Sequence, residues 1–126
     1  MPDTPSALAQ TIQDIVDANR ILANEDVLDG FGHVSARHPE RPDRFLISRS
    51  RSPALVTGAD IVELDLDGEP EAPLSVGLYV ERVIHAAFYK ARPDVMAVSH
   101  HHAASVMPFC QTGMPVVPVF HVGAVI

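Results

Sequence analysis

A helical repeat of apolar residues stops at Pro93 and gives way at once to an apolar run that ends in three consecutive histidines. The apolar positions of residues 77–94 recur at helical spacing and form one arc: Val80, Val83, Ile84, Ala87 and Phe88. Residues 94–102, DVMAVSHHH, are too apolar on both alternating faces for a surface strand, so we expect this strand inside a sheet. The connection is short, and helix and strand must therefore be neighbours.

A second helix is predicted near the start of the chain. Thr4 is a candidate cap and Pro5 stands at the favoured first helical position. The following apolar residues recur at helical spacing, which indicates one buried face: Leu8, Ile12, Ile15 and Leu22.

Several shorter segments complete the prediction. Residues 44–48, RFLIS, and residues 60–66 have strand composition, and the second strand closes on the turn dipeptide Asp67–Gly68. A short helix ended by Gly113 is expected to precede an extended segment, 115–126. Helices that alternate with strands around a mostly buried sheet predict an α/β or mixed α+β fold.

Composition excludes several classes of protein. The 126 residues suffice for one packed domain, which we place at 1–126. A net charge of -7 argues against a nucleic-acid partner. Without a signal peptide or a run of roughly 18 apolar residues, we expect a cytoplasmic protein that does not bind membranes. Cys110, the only cysteine, is expected to be a buried structural thiol.

The histidine run suggests a metal site. On a strand, His100 and His102 point to the same side, roughly 7 Å apart, while His101 points oppositely. Two imidazoles at that spacing can converge on one ion. The alternative is that one or more of these histidines is a hydrogen-bonded core residue.

A candidate acid/base lies on the preceding helix. Glu81 and His85 are four residues apart and share a helical face at the margin of the apolar arc. A partly desolvated carboxylate there can act as acid or base. The alternative is a solvated Glu81 that contacts His85, but the short link to the histidine strand favours the functional interpretation.

Residues 81–103, ERVIHAAFYKARPDVMAVSHHHA, resemble the signature of the class II aldolase/adducin-like family, in which a Glu, three residues, a His, an aromatic, RPD, an apolar run and H-x-H follow in that order. The RFLIS and DIVELDLDG segments match as well. The resemblance implies a three-layer α/β/α fold with a central, largely antiparallel sheet, here incomplete at the C-terminus. It also implies a homotetramer with active sites at subunit interfaces.

The same resemblance implies roles for individual residues. His100 and His102 would bind a divalent metal ion, Zn²⁺ or else Mn²⁺ or Fe²⁺, and Glu81 would act as acid/base. The family's third histidine ligand would follow residue 126, since His121 aligns with a non-ligand position. The chain also stops inside the apolar run HVGAVI, so we expect a fragment of a longer protein or an oligomer interface that completes the fold.

Three departures from the family pattern concern the substrate. Sugar-phosphate members carry Gly-Asn at 32–33, Ser-Gly at 50–51 and Ser-Ser at 79–80, where this chain has Gly-His, Ser-Arg and Tyr-Val. Bulky side chains would block a phosphate cradle built from backbone amides. These replacements are similar to the branch that contains a pyridine-dicarboxylate decarboxylase and the prenylated-hydroxybenzoate oxygenases.

A carboxylate is therefore the expected ligand. Arg51, His33 and Arg49 offer donors for it, since guanidinium grips a carboxylate with two hydrogen bonds; a solvated arginine is the alternative for Arg49 and Arg51. The predicted substrate-binding residues are His33, Ser50, Arg51, Tyr79 and His85.

Three functions fit these residues. The first is a metal-dependent carbon–carbon lyase, a decarboxylase or aldolase, acting on a small carboxylated, non-phosphorylated substrate, with Glu81 moving the proton. The second is an iron-dependent oxygenase that uses the same site. The third is a non-catalytic, adducin-like interaction module, which would bind no metal.

Overall fold

The computed structural model describes residues 5–119 of the chain. The elements follow in the order α1 (Ala7–Asn24), β1 (His33–Arg37), β2 (Arg44–Ser48), β3 (Ile61–Asp65), α2 (Arg82–Ala91), β4 (Ala97–His100) and α3 (Met107–Thr112). The strands form one antiparallel sheet in the order β3-β2-β1-β4. The predicted antiparallel sheet is confirmed. No helix within these residues is long and apolar enough to cross a bilayer.

Helices cover both faces of this sheet. One face packs on α2 through a cluster of five buried residues: Phe45, Ile47, Leu64, Ala86 and Tyr89. On the opposite face, Ile15 of α1 lines a small cavity together with Val34 and Ala36 of β1. Side chains alternate between the two faces along a strand, so one five-residue strand serves both helices. The predicted three-layer α/β/α arrangement is confirmed.

The start of α1 differs from the prediction. The helix begins at Ala7, and the Ser6 hydroxyl accepts a hydrogen bond of 3.1 Å from the Ala9 amide. Ser6 is therefore the cap, because its side chain satisfies an amide that has no partner within the helix. Pro5 precedes the helix, and Thr4 lies outside the described residues. Of the predicted face, Ile15 is fully buried.

Helix α2 is shorter than predicted and buries a different face. Its buried residues are His85, Ala86 and Tyr89. The predicted arc points away from the sheet: Val80 is 83% exposed and Phe88 52% exposed. The prediction was wrong because two polar side chains of this helix have hydrogen-bond partners on β1, which a pattern of apolar residues does not reveal.

The predicted interior position of the histidine strand is also wrong within the described residues. Among residues 5–119, strand β4 pairs with β1 alone and lies at the sheet edge. Its side chains alternate between exposed and half-buried. The apolar character of this segment has a local use, since Val95 and Val98 pack against the α2 side of the core.

The structure contains both of the turns that the sequence predicted at glycine residues. Gly68 has a φ of +83° and closes the turn after β3, and Gly113 has a φ of +69° and ends α3. Both conformations suit glycine, which has no Cβ to clash.

Cys110 is exposed rather than buried, because α3 buries none of its residues. Residues 114–119 form no helix or strand, and the rest of the predicted extended segment, His121 included, lies outside the described residues.

A buried arginine joins β1 to the end of α2. Arg37 is 6% exposed and lies 4.9 Å from the ring centroid of Tyr89. Its guanidinium donates hydrogen bonds of 2.5–3.1 Å to four backbone carbonyls, those of Pro42, Tyr89, Arg92 and Val95. The charge is thus solvated by main-chain dipoles at the helix end, where a cation is favourable.

Replacing this guanidinium should destabilise the chain strongly. Arg37→Met leaves four carbonyls without their donor, and we expect it to lower the free energy of unfolding by about 3 kcal/mol or more, measured by urea denaturation. Arg41→Met is the matched control, because Arg41 is 45% exposed and its ion pair with Glu63 should contribute about 1 kcal/mol at most. Equal losses in the two variants would contradict this account.

Candidate functional site

The site begins with a pair of histidines that face each other across two strands. His33, the first residue of β1, is the direct partner of His100, the last residue of β4. Directly paired residues project to the same face of a sheet, here the α2 side. The two rings meet edge to face with centroids 5.0 Å apart. Backbone pairing therefore holds both imidazoles at one end of the sheet.

Glu81 completes this group from the start of α2. Its Oε2 atom lies 3.3 Å from Nε2 of His33 and 3.7 Å from Nδ1 of His100. The carboxylate side chain is 45% exposed, whereas His33 is fully buried. Glu81 thus faces both the solvent and the buried histidine, which suits a group that exchanges protons with a ligand.

The second predicted ligand, His102, approaches His100 from the loop after β4. The two Nε2 atoms are 3.2 Å apart. Two imidazole nitrogens bound tetrahedrally to one zinc ion, at about 2.05 Å each, would be separated by about 3.3 Å. His101 turns elsewhere and accepts a hydrogen bond of 3.2 Å from the Ala103 amide. The structure therefore brings His100 and His102 together even though the strand ends at His100.

The donor atoms around His100 fit a metal ion in two ways. Its Nε2 atom faces His102, while its Nδ1 atom is buried and has no hydrogen-bond partner among the described residues. On the Nδ1 side, donor atoms of His33, Glu81 and His100 all lie within 4.8 Å of one another and could hold an ion. One ring nitrogen binds a given ion, so the two ligand sets are alternatives.

A line of buried polar groups continues inward from His33. Nδ1 of His33 lies 2.7 Å from Nε2 of His85, and Nδ1 of His85 lies 2.6 Å from the Ser35 hydroxyl. That hydroxyl lies 2.7 Å from the Tyr89 hydroxyl. All four side chains are buried in the sheet–helix interface. His85 thus contacts His33 and Ser35, and the contact with Glu81 that helical spacing suggested is made by His33 instead.

Burial sets the charge of these groups. Burial lowers the pKa of His85 to about 3, and the nearby His33 and His100 act in the same direction. Burial also lowers the pKa of His33, an effect that the hydrogen bond with Glu81 opposes. Burial raises the pKa of Tyr89 to about 12. Both buried histidines are therefore neutral at pH 7 and can donate and accept one hydrogen bond each.

The remaining predicted site residues meet at Tyr79. Its ring packs on that of His33 with centroids 4.3 Å apart. The Tyr79 hydroxyl donates to the Arg51 carbonyl and accepts a hydrogen bond of 3.2 Å from the Arg51 amide. The neighbouring Ser50 is tied by its amide to the Gly77 carbonyl at 2.8 Å. Ser50 and Arg51 are thus linked to the histidine group through Tyr79.

The guanidinium of Arg51 points to a different partner. It lies 3.3 Å from the buried carboxylate of Asp60, which also binds Arg49 at 2.6 Å. Burial opposes the charge on Asp60, but hydrogen bonds from Arg49 and Thr57 and the charge of Arg51 prevail and hold its pKa well below the usual range. The Nε atom of Arg51 is buried without a hydrogen-bond partner among the described residues.

Gly32 allows the two histidine strands to meet closely. A Cβ atom at this position would lie 2.7 Å from the Leu28 side chain and 3.2 Å from the His100 carbonyl oxygen. A larger residue would therefore require Leu28 and the His100 carbonyl to shift at the point where His33 and His100 pair.

Sequence reasoning missed Ser35 and Tyr89. Both could have been found from spacing: Ser35 is two residues from His33 on a strand, and Tyr89 is four residues from His85 on a helix. These intervals place each residue on the same face as its histidine. The prediction did not use them because the buried face of α2 was assigned to its apolar residues.

Comparisons with known proteins identify the family to which this chain is similar. Residues 13–126 match the protein family described as Class II Aldolase and Adducin N-terminal domain. Decarboxylase tropJ of Talaromyces stipitatus is 38% identical over 112 residues, which cover 87% of this chain and 42% of that protein. A 3,4-dihydroxyphthalate decarboxylase of Arthrobacter keyseri is 34% identical over 126 residues, which cover 92% of this chain and 50% of that protein.

Two solved structures of similar proteins have a similar fold. An L-fuculose 1-phosphate aldolase from Glaciozyma antarctica superposes with a TM-score of 0.74 at 27% identity, covering 91% of this chain and 50% of the aldolase. An aldolase II superfamily protein from Pseudomonas syringae gives a TM-score of 0.74 at 28% identity, covering 83% and 43%. The chain spans about half the length of these relatives.

The lowered pKa values of the buried histidines predict how the stability of the fold depends on pH. A histidine whose pKa falls from 6.5 to about 3 on folding contributes stability that is complete above pH 6.5 and is lost as the pH falls toward 3. We expect the free energy of unfolding, measured in urea with a chelator present, to decrease between pH 7 and pH 5. The slope should approach about 1.4 kcal/mol per pH unit for each such histidine.

Two variants identify the group responsible. His85→Gln should flatten this slope, because glutamine takes up no proton on unfolding, and His101→Gln should leave it unchanged. A slope that is the same in His85→Gln as in the parent chain would refute the assignment.

Proposed function

Because the chain belongs to the Class II Aldolase and Adducin N-terminal domain family, we propose that it forms part of a metal-dependent carbon–carbon lyase. Decarboxylation of a small carboxylated substrate is the reaction we favour over aldol cleavage. Three relatives above 30% identity are named decarboxylases, and two of them are named for 3,4-dihydroxyphthalate. We extend this chemistry to a hydroxylated aromatic carboxylate as substrate.

One observation carries the proposal. The Nε2 atoms of His100 and His102 lie 3.2 Å apart, and the Glu81 carboxylate lies 3.7 Å from the opposite nitrogen of the same His100 ring. A metal-binding histidine commonly directs its second ring nitrogen at a carboxylate, which orients the ring. In this proposal His100 and His102 are the ligands, and Glu81 is available for proton transfer.

His100 and His102 would hold a divalent ion, with Zn²⁺ as the first candidate and Mn²⁺ or Fe²⁺ as alternatives. Catalytic zinc normally has three protein ligands, so a third would come from outside residues 5–119. When bound, the ion supplies positive charge next to a substrate oxygen, where electrons accumulate as the carbon–carbon bond breaks.

Glu81 would move one proton in this reaction. Its carboxylate accepts the proton of the substrate hydroxyl and delivers it to the ring carbon that carries the carboxylate. The bond from that carbon to the carboxylate then breaks, its electron pair returns to the ring and the oxygen, and carbon dioxide leaves. The phenolate oxygen takes up a proton from water, so the net reaction consumes one proton.

The surroundings of His33 support a substrate without phosphate. The Tyr79 ring packs on His33, and the Tyr79 hydroxyl occupies the Arg51 amide, which a small residue at position 79 would leave free. The Arg51 side chain is 34% exposed, and the exposed part of its guanidinium would donate to a substrate carboxylate. His33, Ser50, Tyr79 and His85 would shape the pocket around it.

The same proposal includes the location, the oligomeric state and the partners of the intact protein. We place the intact protein in the cytoplasm as a homotetramer that takes a small carboxylate and binds neither nucleic acid nor membrane. Analytical ultracentrifugation of the purified protein tests the tetramer.

Replacing the acid/base separates metal binding from turnover. We expect Glu81→Gln to keep the metal content of the purified protein, measured by inductively coupled plasma mass spectrometry. The variant should lower carbon dioxide release from 3,4-dihydroxyphthalate by about 10²-fold or more. Unchanged turnover would remove Glu81 from the mechanism. A parent protein that releases no carbon dioxide from any hydroxylated benzene carboxylate would contradict the decarboxylase assignment.

A second pair of variants identifies the ligands. His102→Ala, at an exposed position, should weaken zinc binding more than about tenfold, whereas His33→Gln should leave it nearly unchanged. The reverse result would place the ion between His33, Glu81 and His100. Parent protein without bound metal would favour the non-catalytic, adducin-like alternative.

A further inference from the structure

Beneath Glu81, four buried side chains form an unbroken line of hydrogen bonds. The links run from Glu81 to His33 at 3.3 Å, from His33 to His85 at 2.7 Å, from His85 to Ser35 at 2.6 Å and from Ser35 to Tyr89 at 2.7 Å. The residues come from β1 and α2 in alternation. Every link therefore also crosses the sheet–helix interface.

Counting protons fixes the direction of each link. With Glu81 ionised, the four links must share four hydrogens, one each from His33, His85, Ser35 and Tyr89. Glu81 can only accept, so Nε2 of His33 carries its proton and Nδ1 accepts. Nε2 of His85 must then donate to that Nδ1, and Nδ1 of His85 must accept from Ser35.

The end of the line agrees with this direction. Because the Ser35 hydrogen is used for His85, the link to Tyr89 has to be donated by the tyrosine hydroxyl. All four links are then made, with no hydrogen left over. The opposite direction would leave the buried Tyr89 hydrogen without an acceptor among the described residues, which is unfavourable.

We propose that Ser35 is a positioning residue: its hydroxyl hydrogen fixes the tautomers of His85 and His33, so that His33 presents an N–H to the Glu81 carboxylate. Only the catalytic role of Glu81 in this inference rests on the proposed function. The line itself is a property of the fold. Ser35 acts through two imidazoles and touches no substrate.

The consequence for Glu81 is one of geometry. The N–H of His33 holds Oε2, and the other carboxylate oxygen is left for the substrate hydroxyl. If His33 took the other tautomer, its Nε2 lone pair would face the carboxylate lone pairs, and Glu81 would turn toward solvent. Catalytic geometry is sensitive to such a displacement.

Nitrogen NMR of the chain with ¹⁵N-labelled histidine tests this arrangement directly, since two-bond ¹H–¹⁵N spectra distinguish Nδ1–H from Nε2–H imidazoles. We expect His33 and His85 of the metal-free chain to be Nε2–H tautomers at pH 7. Ser35→Ala should convert His85 to a mixture that includes Nδ1–H, and Ser35→Thr should restore the parent pattern.

Tyr89→Phe is the matched control. It removes the neighbouring hydroxyl from the same interface but leaves Ser35 able to donate, so both tautomers should persist. An Nδ1–H tautomer of either histidine in the parent chain, or unchanged tautomers in Ser35→Ala, would overturn the proposal. The same would follow if Tyr89→Phe altered the tautomers as much as Ser35→Ala did.

An activity measurement keeps the two proposals separate. We expect Ser35→Ala to lower kcat by about ten- to hundredfold with little change in KM, and Ser35→Thr to recover most of the loss. If the tautomers respond as expected while Glu81→Gln keeps full activity, the positioning line stands and the proposed function fails.

Discussion

The pairing of His33 with His100 across the neighbouring strands β1 and β4 is the interaction on which the site depends. It places two imidazoles on the α2 side of one sheet end, where Glu81 reaches both. Gly32 permits the close approach of the strands at that point. A different register would move His100 away from His33. His102 would then have no fixed partner, and His33 would not be held against α2.

The helix–sheet interface has to accommodate polar groups because of this pairing. A fully buried histidine must use both ring nitrogens, and His33 does so with Glu81 and His85. The second ring nitrogen of His85 contacts the Ser35 hydroxyl, which in turn contacts the Tyr89 hydroxyl. At the other end of the interface, Arg37 donates to the carbonyls at the end of α2 and packs over the Tyr89 ring. The polar network is complete from Glu81 to Tyr89, which is the condition under which buried polar groups are tolerated.

Much of this architecture could be read from the sequence, and the exceptions have physical causes. Strand Arg44–Ser48 and the turn at Gly68 follow from local composition and backbone preference, so the sequence predicts them well. Strand alternation predicted that His100 and His102 converge, but β4 stops at His100 and His102 reaches that ring from the following loop. The buried face of α2 could not be predicted from hydrophobicity, because this helix turns His85 and Tyr89 inward while Val80 and Phe88 remain exposed within the described residues. The prediction that Cys110 is buried was wrong for a related reason, since the local apolar composition does not show whether a neighbouring element covers this side chain.

The central claim is that one ion is held by the facing nitrogens of His100 and His102, with Glu81 on the opposite side of the His100 ring. Anomalous diffraction at the zinc absorption edge, from crystals of the zinc-loaded protein, tests this most directly. The account predicts a single peak about 2.0–2.1 Å from both Nε2 atoms. A peak at Nδ1 of His100 between His33 and Glu81, or no peak at either position, would contradict it.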